Sequence, residues 1–132
     1  IVEIKIEEYK IIYKVRSTNK YILGNGDELD SSEDIKGIPL LINYVTEDIS
    51  KKLNEKFYLL NIEIIEKISE IEYSPTTYDP QRFILYMNDG NMVYITLSKT
   101  IKLNKYDEIK KKLEGHNGVL YLDSGNYFEI KD

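Results

Sequence analysis

Hydrophobic and polar positions alternate with period two from the first residue: Ile1-Val2-Glu3-Ile4-Lys5-Ile6 predicts a strand. A second β-rich run covers Tyr9 to Val15, and Ser17-Thr18-Asn19 turns the chain into a short third strand, Lys20-Tyr21-Ile22-Leu23. Gly24-Asn25-Gly26-Asp27 then reverses it. The opening reads as a meander. Gly37-Ile38-Pro39-Leu40-Leu41-Ile42 is apolar with a proline near its start. Proline cannot donate to a central ladder, so an edge segment or an extended buried connection is expected here.

From Thr46 to Ser69 the period lengthens. Leu53, Phe57, Leu60, Ile64 and Ile65 recur at helical spacing, with breaks expected near Asn54 and Lys67. Ile68, Glu70 and Glu72, interleaved with Ser69, Ile71 and Tyr73, also fit a strand. Ser74 to Pro80 is a loop. Two β-rich runs, Phe83–Met87 and Met92–Leu97, flank Asn88-Asp89-Gly90-Asn91, small polar residues suited to a tight reversal. Leu103, Tyr106, Ile109 and Leu113 then share a helical stripe, and Gly115 stands where a left-handed stop is wanted. Val119–Leu122 and Tyr127–Ile130 close the chain as a strand pair around Asp123-Ser124-Gly125-Asn126. The expected architecture is α+β: a largely antiparallel sheet with two helices on one face.

Length changes this picture little, since 132 residues suit one domain. Charge narrows it. With 23 carboxylates against 18 bases the formal net charge is −5, which argues against a nucleic-acid binder with a basic footprint. There is no cysteine, hence no disulfide, thiolate nucleophile or cysteine-based zinc site. No run approaches the roughly 20 apolar residues of a membrane span. The chain opens without methionine directly into a strand, which suggests a piece of a longer protein whose anchor or signal lies upstream.

Candidate chemistry is sparse. Asp27, Glu28, Asp30, Glu33 and Asp34 offer oxygen ligands for calcium, but not at EF-hand spacing, and a solvated loop is the simpler account. His116 is the one histidine; its place beside a helix exit explains it without catalysis. The pairs Glu7-Glu8 and Glu70/Glu72 suit a carboxylate hydrolase only in the sense that any acidic chain does. No catalytic residue, cofactor or metal is assigned. Twelve tyrosines, with three phenylalanines and no tryptophan, are the more informative excess. Tyrosine pairs a rigid apolar body with a polar tip, which suits half-buried sheets and contact surfaces alike.

The order of these segments resembles the β domain of the bacterial cell-division family FtsQ/DivIB. Glu8-Tyr9-Lys10-Ile11-Ile12-Tyr13 is similar to the junction between the family's POTRA and β domains. Gly37-Ile38-Pro39-Leu40-Leu41 resembles its Leu-Pro-Leu-type segment. Asn88-Asp89-Gly90 with Val93-Tyr94-Ile95 resembles its Asp-Gly hairpin, and the stretch from Lys102-Leu103 to Leu113 its Lys-Leu helix. Leu120 to Phe128 resembles the closing hairpin, with Gly125 matching the turn glycine and Tyr121 standing where an aspartate is common. The resemblance implies that residues 1–6 are the last POTRA strand and residues 7–132 the β domain. It further implies a non-enzymatic, single-pass membrane protein of the division septum, with this domain on the extracytoplasmic side. The implied partners are the coiled-coil proteins FtsB/DivIC and FtsL, and the implied role is control of septal peptidoglycan synthesis. Other readings are an extracytoplasmic small-ligand or cell-wall-binding domain, and, further off, a carboxylate-based hydrolase.

A last strand without a covalent successor exposes backbone donors and acceptors that an added strand can satisfy. The expected docking set is therefore Tyr121, Gly125, Asn126, Tyr127, Phe128, Glu129, Ile130 and Lys131. Arg82 joins it as a candidate to pair with an acidic residue of the partner. Phe128 and Ile130 are expected to point inward as anchors, with Tyr127 or Tyr121 meeting the partner.

Overall fold

A computed structural model describes residues 10–30 and 34–131. The expected strand at residues 1–6, with the boundary drawn after it, and part of the acidic loop lie outside these residues. Among the described residues nine strands form one sheet: β1 (Ile11–Val15), β2 (Lys20–Leu23), β3 (Glu28–Leu29), β4 (Leu40–Leu41), β5 (Ile68–Tyr73), β6 (Arg82–Met87), β7 (Met92–Thr96), β8 (Gly118–Tyr121) and β9 (Tyr127–Ile130). Their order across the sheet is β3-β2-β1-β4-β5-β6-β7-β8-β9. Antiparallel pairing dominates, as expected, but β1–β4, β4–β5 and β7–β8 are parallel.

Parallel neighbours need crossovers, and these carry the helices. Helix α1 (Glu47–Tyr58) and helix α2 (Ile62–Lys67) join β4 to β5. A 3-10 segment (Leu97–Lys105), helix α3 (Tyr106–Lys110) and a 3-10 turn (Lys111–Leu113) join β7 to β8. Strands β4, β5, β7 and β8 all point the same way, and both crossovers step in the same sense across the sheet. The right-handed rule therefore lays both on one face. There α1 packs against the 3-10 segment, where Asn104 donates to the Leu59 carbonyl and accepts from the Asn61 amide.

Helix α1 starts with Glu47 and Asp48 and carries Lys56 in its last turn, charges that complement its dipole. Its i, i+4 pair Leu53 and Phe57 is buried, with the Tyr13 ring edge-on to Phe57 at 6.3 Å. Leu60, Ile64 and Ile65 extend the buried stripe. From the sheet come Ile71, then Phe83, Leu85 and Met87 at alternate positions of β6, then Val93 and Ile95 of β7. Each such side chain contributes about 1.5–3 kcal/mol on burial.

Three expectations are corrected. Asn54 lies inside α1; the helix breaks at Leu59–Asn61, where Asn61 begins α2 in an extended conformation. The second crossover is 3-10 from Leu97, so its helical winding starts directly at the end of β7. Strand β4 is central, parallel to both β1 and β5. Pro39 precedes its first residue, so the missing N–H costs no ladder bond, and the Pro39 carbonyl accepts from the Lys14 amide at 2.8 Å.

One buried polar cluster joins the second crossover to the sheet. Asn91, at the β6–β7 turn, donates from Nδ2 to the Tyr106 hydroxyl at 2.9 Å and accepts at Oδ1 from the Gly118 amide at 2.8 Å. The Tyr106 hydroxyl donates to Asp89 Oδ2 at 2.8 Å. Burial, together with Asp89, raises the Tyr106 pKa well above the usual phenol value. Among the described residues no helix is long and apolar enough to cross a membrane.

Tyr106→Phe keeps the ring but leaves Asp89 and Asn91 short of a partner. The expected loss of stability is about 1–3 kcal/mol, read as a lower urea midpoint at an unchanged slope. A midpoint equal to the parent's would show that the hydroxyl is dispensable.

Candidate partner-docking edge

Strand β9 lies at the end of the sheet, and its one neighbour among the described residues is β8. The ladder pairs Gly118 with Ile130, Val119 with Glu129, Leu120 with Phe128 and Tyr121 with Tyr127. The Lys131 amide donates to the Asn117 carbonyl at 2.8 Å, which sets the phase. Residues two apart on a strand direct their backbone groups the same way, so Glu129 and Tyr127 also face β8. The N–H and C=O groups of Phe128 and Ile130 face outward, and among the described residues this edge is free.

Gly118 makes the pairing possible. A Cβ there would sit 2.1 Å from the Glu129 carbonyl oxygen, a backbone atom with nowhere to go. Gly125, at φ +154°, closes the hairpin with the Tyr127 ring folded against it; a Cβ would meet that ring at 2.9 Å.

The sheet face opposite the helices carries a row of rings. Tyr94 and Tyr121 stack at 5.1 Å and 24°, and Arg82 lies over Tyr94 at 5.1 Å. Tyr121 is in turn directly opposite Tyr127. Glutamates fix the phenols from neighbouring strands. Tyr86 donates to Glu72 Oε1 at 2.5 Å, and Tyr121 to Glu129 Oε1 at 3.1 Å. The first bond, aided by burial, pushes the Tyr86 pKa up to about 12. The second raises that of Tyr121.

The closing hairpin thus gathers Tyr121, Gly125, Asn126, Tyr127, Phe128, Glu129, Ile130 and Lys131 as a unit, with Asn126 accepting from Lys102 at 3.3 Å. Arg82 stands apart. It is the first residue of β6, with two strands between it and β9, and its guanidinium donates to the carbonyl and hydroxyl oxygens of Ser74 at 2.8 and 3.1 Å. Phe128 and Ile130 are not inward anchors either. They take the helix-side face, but the crossover reaches β9 only with its last turn, Lys111–Leu113, and leaves them 44% and 48% exposed. Tyr127, at 63%, is more open still.

Sequence reasoning passed over Gly118 and Asn91. Gly118 follows Asn117 and reads as turn punctuation, and Asn91 reads as the last residue of a polar turn; the buried roles of both come from tertiary neighbours. His116 lines a shallow cleft of about 270 Å³ with Asp89, Lys110, Lys111 and Asn117. Lys110 there pairs with Asp89 at 3.5 Å. Among the described residues no three His, Asp or Glu side chains gather as a metal would require.

This fold is similar to that of a solved class of domains, the extracytoplasmic domains of bacterial division proteins. The major extracytoplasmic domain of DivIB from Geobacillus stearothermophilus, in its trans isomer, matches with a TM-score of 0.65 at 27% identity, covering 81% of this chain and 95% of that one. DivIB of Bacillus subtilis is 32% identical over 97% of the chain, and so is DivIB of Listeria monocytogenes. The chain belongs to the FtsQ/DivIB family of cell-division proteins. It spans about half the length of those curated relatives, 51% and 50% respectively. No protein-family model matches it.

Two measurements probe this geometry. Gly118→Ala should part β9 from β8, so amide exchange at residues 127–131 speeds up while β5 to β7 keep their protection; unchanged exchange at β9 would contradict the close approach. The second is alkaline titration. A free tyrosine ionises near pH 10, and folded Tyr86 at about 12. The folded state holds that proton more tightly, so the contribution is complete below about pH 10 and is lost as pH rises through about 12. Tyr86→Phe should therefore lose less stability across this window than the parent; parallel unfolding curves would refute the Tyr86–Glu72 assignment.

Proposed function

We propose that this chain is the docking domain of a non-enzymatic cell-division protein. In this reading it holds coiled-coil division proteins of the FtsB/DivIC and FtsL type at the outer edge of β9. Through them it helps control septal peptidoglycan synthesis from the extracytoplasmic side of a membrane-anchored whole protein. The family supports the setting, since the relatives are cell-division proteins and the structural neighbour is an extracytoplasmic domain.

The observation that carries the docking mode is the free edge. Phe128 and Ile130 turn their N–H and C=O groups away from β8, and their own half-exposed apolar side chains flank those groups. An incoming strand satisfies the backbone, extends the sheet and covers Phe128 and Ile130 in one step. On the opposite face Tyr127, supported by the ring of Tyr121 and by Gly125, offers the partner a rigid aromatic surface. Ladder bonds supply affinity, and the two rows of side chains supply register.

The test is a titration of the isotopically labelled chain with the extracytoplasmic part of DivIC from the same organism, followed by backbone amide NMR. Shifts and new protection should concentrate in residues 118–132. Ile130→Pro removes one outward donor and spares the β8 ladder, so binding should weaken about tenfold with the fold intact. Tyr127→Lys should weaken it as well. Full affinity in both variants, or shifts centred on residues 27–66, would move the interface elsewhere.

A further inference from the structure

The chain contains two Asn-Gly pairs, Asn25-Gly26 and Asn117-Gly118. This dipeptide is the one most open to spontaneous deamidation, because glycine has no Cβ to shield its nitrogen or restrict its backbone. The glycine nitrogen gives its proton to base and attacks the asparagine Cγ. The bond from Cγ to the side-chain nitrogen breaks, and that nitrogen leaves as ammonia. Water then opens the resulting succinimide to aspartate or isoaspartate. Water is the one co-reactant, and nothing is oxidised or reduced.

The two sites differ in what holds the peptide unit that must react. In Asn117-Gly118 it is clamped at both ends. The Gly118 N–H donates to Asn91 Oδ1 at 2.8 Å within a buried pocket, and the Asn117 carbonyl accepts from the Lys131 amide at 2.8 Å. Attack requires the first bond to break and the Asn117 backbone to rotate against the second. Asn25 sits in an exposed turn, with one local bond from the Gly26 amide to the Leu23 carbonyl at 2.8 Å. Among the described residues its side chain is fixed by Asp27, which donates its amide to Oδ1 and accepts from Nδ2, each at 3.0 Å.

We propose that Asn25 is the modification site of the folded chain and that Asn117-Gly118 is a latent one, locked by Asn91 on one side and by β9 on the other. Each departure of β9 from β8 removes the second clamp. Conversion at Asn117 is then a slow chemical record of fraying at the docking edge. Either product sets a carboxylate at the root of β8 beside Lys110 and Lys111, and isoaspartate also adds a backbone methylene there.

The experiment is incubation of the chain in mildly alkaline buffer, followed by peptide mapping with mass spectrometry and isoaspartate detection. In the folded chain Asn25 should convert roughly tenfold or more faster than Asn117, since Asn117 reacts only through local opening. In concentrated urea the two rates should converge. Asn91→Ala should raise the Asn117 rate toward that of Asn25. Lys131→Pro, which removes the other clamp and leaves Asn91 in place, should also raise it and covers the case in which Asn91→Ala does not fold. Equal rates at the two sites in the folded chain would overturn the proposal. So would a difference that persists in urea, or an Asn117 rate unmoved by Lys131→Pro.

Discussion

The amide of Asn91 is the constraint on which the second half of the domain depends. A carboxamide 4% exposed must find partners for both its oxygen and its nitrogen, and here the partners belong to different elements. Its oxygen fixes the first residue of β8, and its nitrogen holds the tyrosine that opens α3. A parallel strand such as β8 is joined to β7 only through a long connection, so its register has no hairpin to set it. The bond to the Gly118 amide supplies that register, and β9 inherits it through the closing hairpin. The edge offered to solvent is thus positioned from a turn two strands away.

Much of this fold was legible in the sequence because hairpins declare themselves locally. The strands on either side of Asn88–Asn91 and Asp123–Asn126 fall where alternation and turn residues put them, and Tyr127–Ile130 does so residue for residue. Of the stripe Leu103, Tyr106, Ile109 and Leu113, three are buried as the spacing implies and Ile109 is half-buried, although most of its turns are 3-10. Position in the sheet was less legible. Proline at 39 argued for an edge segment or an extended buried connection, but a two-residue strand that begins just after it escapes the rule. Period-two alternation assigned Phe128 and Ile130 to the helix-side face correctly, yet a pattern along one strand cannot say whether the layer above extends that far. Gly118 gave no signal at all, since its need for a missing side chain arises from a carbonyl on another strand.

The tyrosine excess has a physical account in the two faces of the sheet. Tyr13, Tyr21 and Tyr106 are buried outright. Tyr86, Tyr94, Tyr121 and Tyr127 lie on the face that no helix covers, where a purely apolar ring would be left against water and a small polar residue would leave the strands bare. Tyrosine covers the backbone with its ring and keeps its hydroxyl in solvent or on a neighbouring glutamate. The face is finished by its own side chains.

Strand β4 gives the sheet a seam. Within the sheet, among the described residues, the two-residue strand Leu40–Leu41 joins the meander β1–β3 to the five strands from β5 onward, and both of its pairings are parallel. Each half has antiparallel hairpins that close over short loops and form early, whereas β4 finds its neighbours only after its chain has been brought back across a crossover. Helix α1, which packs Leu53 and Phe57 across the same region, is the element that draws the halves together. In kinetic terms the hairpins are local assemblies and the parallel pairings of β4 and of β8 are the late joints, each across its own crossover, so the edge of β9 is presented only once β8 has found β7.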